Sequence, residues 1–552
     1  MMPFIPILLV LAGLTLWFRR RRYKAVEQEE EDCPRVVVKG HTYTDSVEEE
    51  QSPQVRTDKV ENVRRACMIG AGYVGGLTAL VLASQNPHIQ FFVVDSDARL
   101  IAAWNSDRPP VFEPGLEDLL FEPTDPPPDM EPSKEAADVE DPSNGTKYGD
   151  FVSSMPRRRK LANISFSTSI HDAVAAADMI FLSTDTPSDI LDGDKSDIDL
   201  SRLEIAIQAI AQVSTGHKII VQKSTAPCGI IPRLKRLLKE TASPSAMFDI
   251  LSNPDFLVPG AAIRDLLYPP RVVIGHIFSE DMSPEALTAL KRMYTPWVPE
   301  DRIVTMDAWS SELGKLAANA LLAQQISSLN SLSALCESTN ANINYVSETL
   351  GLSQRSGLGF GGSNLQSDVL CLVYLARELG LQEVVDYWMS VLRMNEYHRH
   401  RVVQRLITRL GDVKEKRVAI LGFVSKGNVM DTRNTSALGL VRTLTAKGVR
   451  VNIHDPHVQA DRSESTLRLY DCHPEMVTVT ESVETACFGC SALVLHTDWE
   501  EFRQDEVRWQ RIAGHMESPK VLLDPHGAFD GFKMQQWGFE VLQVGIRSAK
   551  VL

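Results

Sequence analysis

The chain has 552 residues, 43% of them hydrophobic and 23% charged, and its 57 basic against 72 acidic residues give a net charge of −15. That length is too great for one core and fits about three domains. The acidic balance excludes the basic footprint of a nucleic-acid binder. Eight scattered cysteines exclude a disulfide scaffold and read as packing thiols in a reducing compartment.

The first eighteen residues, MMPFIPILLVLAGLTLWF, carry no charge and are followed at once by RRRRYK. A helix of about 18 residues spans about 27 Å, close to a bilayer core. The basic cluster follows the apolar run, the reverse of a signal peptide, and no A-x-A site precedes it; a cleaved leader is the alternative. The expectation is a single-pass anchor over 1–24, with the catalytic body facing the cytosol. If the body faced the lumen instead, the sequons at Asn144, Asn163 and Asn434 would accept glycans. Residues 25–62 are acid-rich (EQEEED, VEEEQ) and read as a linker.

From 63 the pattern becomes VRRACMIGAGYVGGLTALVLA and then IQFFVVD: strand, glycine turn, helix, strand. In Gly70-Ala-Gly72-Tyr73-Val74-Gly75 the first glycine makes the turn, the second lets the backbone meet a pyrophosphate, and the third lets the helix pack on the sheet. Asp95 ends the next strand, where a carboxylate accepts hydrogen bonds from a ribose 2′-hydroxyl and repels a 2′-phosphate. NAD is therefore favoured over NADP. Residues 121–150 hold six prolines and nine acidic residues against two lysines, and with RRRK at 157–160 the span 121–160 reads as a disordered insertion.

Apolar runs then return (ADMIFLST, HKIIVQKST, FDILSNP, RVVIGH), alternating with amphipathic stretches such as LSRLEIAIQAIAQV. This alternation predicts a parallel, doubly wound sheet. The period is helical over 307–411, and a second strand-turn-helix-strand follows in KRVAILGFVSKGN, SALGLVRTLTAKG and VRVNIHD. The expected fold is α/β: two Rossmann-like domains, 63–306 and 412–552, joined by a central helical region. Cys487 and Cys490 form a CxxC with no second pair, read as a buried structural pair. The segment SGLGFGGSNLQSD, 356–368, is a glycine-rich loop running into polar residues at a helix start, which suits close approach to a ligand but offers no strong nucleophile.

The stretches MIGAGYVGG, AWNSDRPPVFEPGLEDLL, KSTAP, SNPDFL, SSELGKLAANALLAQQISS, GFGGS and DTRNTS occur in one order. Together they resemble the UDP-glucose/GDP-mannose dehydrogenase family, over roughly 63 to 545. The resemblance implies a nicotinamide domain, central helices that make a homo-oligomer and a C-terminal UDP-binding domain. It also implies oxidation of the C6 alcohol of a nucleotide sugar to a carboxylate with two NAD, through a cysteine that captures the aldehyde as a thiohemiacetal and then carries a thioester. The cofactor residues it implies are Gly70, Gly72, Tyr73, Val74, Gly75 and Asp95, with Thr186 and Pro187 near the nicotinamide and Arg433 reaching the phosphates. It assigns Thr225 to a water, Lys315 and Asn319 to the developing oxyanion, Asp368 to water activation, and Asp255 to the place of a loop glutamate. Phe256, Leu257, Arg355, Phe360, Gly361 and Lys426 stand at positions that bind the UDP-sugar.

The departures from the family pattern gather in the catalytic and sugar half. Asn364 stands where the family has its nucleophilic cysteine, Ser367 replaces the adjoining lysine, Gln222 replaces a glutamate, and Pro259 replaces another. A short lysine-bearing segment is missing after Arg355, and Asp524-Pro525-His526-Gly527 replaces an arginine-bearing motif. Cys371 is about 10 Å beyond Asn364 along a helix, and it and Cys228 read as core cysteines. Two functions follow as expectations: a UDP-sugar oxidoreductase limited to one hydride transfer, and a catalytically silent NAD-binding relative that partners or regulates an active dehydrogenase at a membrane.

Overall fold

The computed structural model describes residues 62–122, 159–184, 200–277, 284–351, 357–361, 363–424, 435–458, 460–470, 472–503 and 506–547. The anchor expected over 1–24, the linker up to 61 and residues 123–158 of the insertion lie outside them. The membrane location is corrected: among the described residues no helix is long and apolar enough to cross a membrane. An apolar run spans a bilayer only as a helix whose backbone groups are all paired, and composition alone does not establish that. Asn163 is also no free acceptor for a glycan, because its Nδ2 donates to the carbonyls of Ala83, Asn86 and Ile89 at 3.0, 3.1 and 2.9 Å. Asn144 and Asn434 lie outside the described residues.

The first sheet contains β1 (Arg65–Ile69), β2 (Gln90–Val94), β3 (Ile164–Ser167), β4 (Met179–Leu182), β5 (Gly216–Gln222), β6 (Ala246–Ser252), β7 (Val272–His276) and β8 (Ile303–Asp307), in the order β3-β2-β1-β4-β5-β6-β7-β8. All pairings are parallel except an antiparallel contact between β6 and β7 at Ser252 and Gly275. Helices cover both faces, so the strands are apolar at successive positions and not only at alternate ones. Ala66 and Met68 of β1 face one core with Leu77, Leu80 and Trp104, while Cys67 and Ile69 face the other with Ile207 and Ile210. That division follows from the two-residue period of a strand.

The chain then turns helical. Ala308–Thr339 runs for 32 residues from an Asp307 cap that accepts the Ser310 N–H, and ends at Asn340 in the left-handed region, φ 66°. Ile343–Thr349, Ser363–Glu378 and Gln382–Leu410 follow, and Leu316, Ala320, Ala323, Val369, Leu372 and Val391 form a core shared by the long helix, Ser363–Glu378 and Gln382–Leu410. Glu337 of the long helix accepts from Arg401 and Arg405, each at 2.5 Å, and from the Gly545 N–H at 2.8 Å, fixing the helices to the last domain.

The second sheet is parallel, with β9 (Arg417–Leu421), β10 (Arg450–His454), β11 (Val477–Val479), β12 (Ala492–Leu495), β13 (Val521–Asp524) and β14 (Glu540–Gln543) in the order β11-β10-β9-β12-β13-β14. In both sheets the strand order reverses direction beside the first strand, β1/β4 and β9/β12. Crevices at the carboxyl ends of such strands are where open α/β sheets take ligands. Cys487 and Cys490 are buried beneath this sheet, with the Cys490 thiol donating to the Ala486 carbonyl at 3.1 Å.

Candidate active site

At the end of β1 the chain turns through Gly70 at φ +104°, where a Cβ would stand 2.2 Å from the Ser183 carbonyl oxygen. A Cβ on Gly75 would stand 2.0 Å from the Gly70 carbonyl oxygen, so the helix Tyr73–Gln85 meets the turn at a distance only glycine allows. Gly72 differs: nothing lies within 4 Å of its Cβ direction, and it begins the helix without a side-chain cap. The first-turn N–H groups there are available to an anion, which the helix dipole also favours. Asp95 holds this turn from β2, accepting the Ala71 N–H at 2.9 Å and the Asp97 N–H at 2.9 Å. An approachable turn, uncapped N–H groups and a carboxylate alongside fit a dinucleotide with a free ribose 2′-hydroxyl. The hydroxyls of Ser183 and Thr184, at the end of β4, are buried without a protein partner, and motif reading did not single them out. Thr186, Pro187 and Arg433 lie outside the described residues.

The residues expected to be catalytic sit beyond β5 and β6. These strands pair in register to Gln222 and Ser252, so Lys223–Thr225 and Asn253–Phe256 emerge side by side. The long helix crosses them, tied by Ser311 Oγ to Ser252 Oγ at 3.0 Å and by Glu312, which accepts the Gly229 and Ile231 N–H groups at 2.6 and 3.2 Å. Burial raises the Glu312 carboxyl to about 7. Lys315, one turn on, places Nζ 3.5 Å from Asp255 Oδ2 and 5.5 Å from the centre of the Phe256 ring. Asn319 donates through Nδ2 to Asp368 Oδ2 at 2.6 Å. Burial raises Asp368 from 3.8 to about 6, against the opposing Asn319 hydrogen bond and Lys315 charge.

A second lysine joins them. Lys223 donates to Asn253 Oδ1 at 3.2 Å, and the Tyr294 hydroxyl donates to the same oxygen at 2.6 Å. Burial lowers the Lys223 ammonium to about 8, while Asp255 favours its charge. Neither Lys223 nor Tyr294 was among the expected site residues. The one sequence signal was the lysine in KSTAP ahead of Thr225. Gln222 turns back on its own loop, donating to the Ser224 carbonyl and hydroxyl at 3.0 Å each.

The glycine loop is held by the helix Gln382–Leu410. Asn395 binds Phe360 twice, accepting its N–H and donating to its carbonyl at 3.0 Å each, and Arg399 donates to the same carbonyl at 2.5 Å. His398 donates to the Gly357 carbonyl at 3.0 Å. The Phe360 ring is buried in the core of the central helices, Gly361 is half-buried, and Leu257 packs on the first-domain core. Asn364 is the second residue of the helix Ser363–Glu378, one turn ahead of Asp368. Cys371 and Cys228 pack against the central core, and burial pushes each thiol up to about 12, so neither is a thiolate at neutral pH. Arg355 and Lys426 lie outside the described residues, while His526 approaches Gly357, its Cε1 3.4 Å from where a Cβ would stand.

Three sequence profiles of the UDP-glucose/GDP-mannose dehydrogenase family match the chain: the NAD binding domain over 64–126 and 151–298, the central domain over 309–397, and the UDP binding domain over 419–531. UDP-glucose 6-dehydrogenase of Gallus gallus is 38% identical over 506 residues, covering 88% of this chain and 93% of that protein. The Drosophila melanogaster enzyme of the same name is 37% identical over 503 residues, covering 87% and 96%. Among solved structures, a UDP-glucose dehydrogenase from the hyperthermophilic archaeon Pyrobaculum islandicum shares 25% identity with a TM-score of 0.68, covering 90% of this chain and 100% of that one. The cofactor that the first domain's turn accommodates is NAD, and the chain belongs to the UDP-glucose/GDP-mannose dehydrogenase family.

Proposed function

We propose that the protein is a UDP-sugar dehydrogenase that oxidises the C6 alcohol of its substrate once, to the aldehyde. The observation that carries this reading is the convergence of the buried Lys315–Asp255 pair and the part-buried Asn319–Asp368 pair beyond β5 and β6, taken with the sequence position of Asn364, where the family pattern has its cysteine. NAD held at the Gly70–Gly75 turn would supply the hydride acceptor for C6. The Lys315 ammonium and the Asn319 amide hold the C6 oxygen as negative charge develops on it. Asp368, raised to about 6 and ionised at neutral pH, takes the hydroxyl proton. The aldehyde then has no partner: a carboxamide forms no tetrahedral adduct stable enough to give up a second hydride. Exposed Leu321, Leu335, Tyr374 and Tyr387 on the central helices support self-association through that region.

The test is the number of NADH formed per UDP-glucose consumed, for the full chain and for Asn364→Cys. One NADH for the parent and two for Asn364→Cys is the expected pair. Two for the parent would falsify the one-hydride assignment, and none, with NAD binding retained, makes the protein a catalytically silent relative.

A further inference from the structure

We infer that Glu113 is a positioning residue that couples the dinucleotide turn to the loop carrying Asp255. Glu113 opens the turn Glu113-Pro114-Gly115, in which Gly115 takes φ +84°. The residue is 4% exposed, and among the described residues no lysine, arginine or histidine pairs with it. Three donors satisfy it instead. Oε1 accepts the Tyr73 hydroxyl and the Gly260 N–H, the latter at 2.7 Å, and Oε2 accepts the Ala262 N–H at 3.1 Å. Tyr73 is the first residue of the dinucleotide helix, directly after Gly72. Gly260 and Ala262 follow Asp255, Phe256 and Leu257 in a turn that Asp265 closes by accepting the Val258 N–H at 3.0 Å.

One buried charge thus draws all its solvation from two loops that serve different ligands. A buried carboxylate that loses a donor keeps the full desolvation penalty of its charge. The loops therefore cannot separate independently. Burial and the Glu113 hydrogen bond both raise the Tyr73 hydroxyl, so it stays protonated and remains a donor at every working pH. A cofactor that orders the turn at Gly72 also orders Tyr73, and through Glu113 it orders the Gly260 and Ala262 amides. The assignment of the second loop to the sugar rests on the proposed function; the link between the loops rests on the hydrogen bonds alone.

Amide hydrogen exchange on the full chain, with and without saturating NADH, tests this link without any sugar. Couplings between sites run from about 5- to 150-fold, so NADH should slow exchange at Val258, Gly260 and Ala262 by at least about 5-fold in the parent. In Tyr73→Phe, which loses one donor and little volume, that slowing should vanish while helix amides after Gly75 still respond to NADH. Glu113→Gln, which leaves Tyr73 in place, should give an intermediate value because one acceptor oxygen remains. No slowing in the parent, or undiminished slowing in both variants, overturns the coupling. Titration calorimetry with UDP-glucose separately tests the sugar assignment: absence of binding removes the sugar from the proposal, and the exchange result still decides whether Glu113 joins the loops.

Discussion

Lys315→Met removes a buried ammonium and keeps most of the side chain's length, which makes it the sharpest test of the site. At 3.5 Å from Asp255, the lost attraction is about 5 kcal/mol at an effective dielectric of about 20. Breaking one side of a buried pair costs about 3–5 kcal/mol, and the Lys223 ammonium, which also faces Asp255, holds the loss toward the lower end. The melting temperature should fall accordingly. Loss of a preorganised group at a developing alkoxide lowers kcat by about 10²–10³, read as NADH absorbance in single turnovers. Stability and chemistry separate in the double variant Lys315→Met with Asp255→Asn, which removes the orphaned carboxylate. The double variant should regain melting temperature and remain slow. A kcat for Lys315→Met within about 3-fold of the parent, or a double variant that recovers rate, refutes the role.

Asp368→Asn is isosteric and tests the raised carboxyl. Burial lifts the folded-state value from 3.8 to about 6, so between those values the folded chain binds more protons than the unfolded one. Its stabilising contribution is therefore present below about pH 4 and lost as pH rises through about 6. The variant should match the parent in denaturant near pH 4 and exceed it near pH 8, and it should lack the rise in kcat through about pH 6 that a base of this kind is expected to give the parent. Equal pH dependence in the two proteins contradicts the burial argument. Gly359→Ala forces a side chain onto φ +90° with its Cβ 2.5 Å from Asn395 Oδ1. The cost is about 1–3 kcal/mol; melting temperature should drop and KM for UDP-glucose should rise, and unchanged values for both would mean the loop is not held by Asn395.

The parallel architecture was legible because it is written in short-range signals. Strand β4, MIFL, is buried at every position, and such a run bounded by helical periods has few places to go except the middle of a doubly wound sheet. The glycine turn was legible for a similar reason, since Gly70 answers to a backbone contact at Ser183 that any Cβ would violate. The expected membrane location rested on eighteen apolar residues, which state a preference for leaving water and nothing about the structure that lets them do so. Lys223, Tyr294 and Glu113 were missed because a buried polar side chain leaves no periodic trace. Tyr294 closes an ordinary amphipathic helix, Pro284–Tyr294, and only the fold brings its hydroxyl to Asn253.

By itself, the sequence determined the layering of strands and helices, the glycine geometry of the cofactor turn and the identity of residue 364. Those depend on neighbours a few residues apart. Only the tertiary structure decided that Asp255 faces two lysines, that Asp368 is held by Asn319, and that Cys228 and Cys371 are locked as thiols. Ionisation and proton transfer follow distance and desolvation, and neither varies with position along the chain. Packing β5, β6 and the central helices against one another sets both.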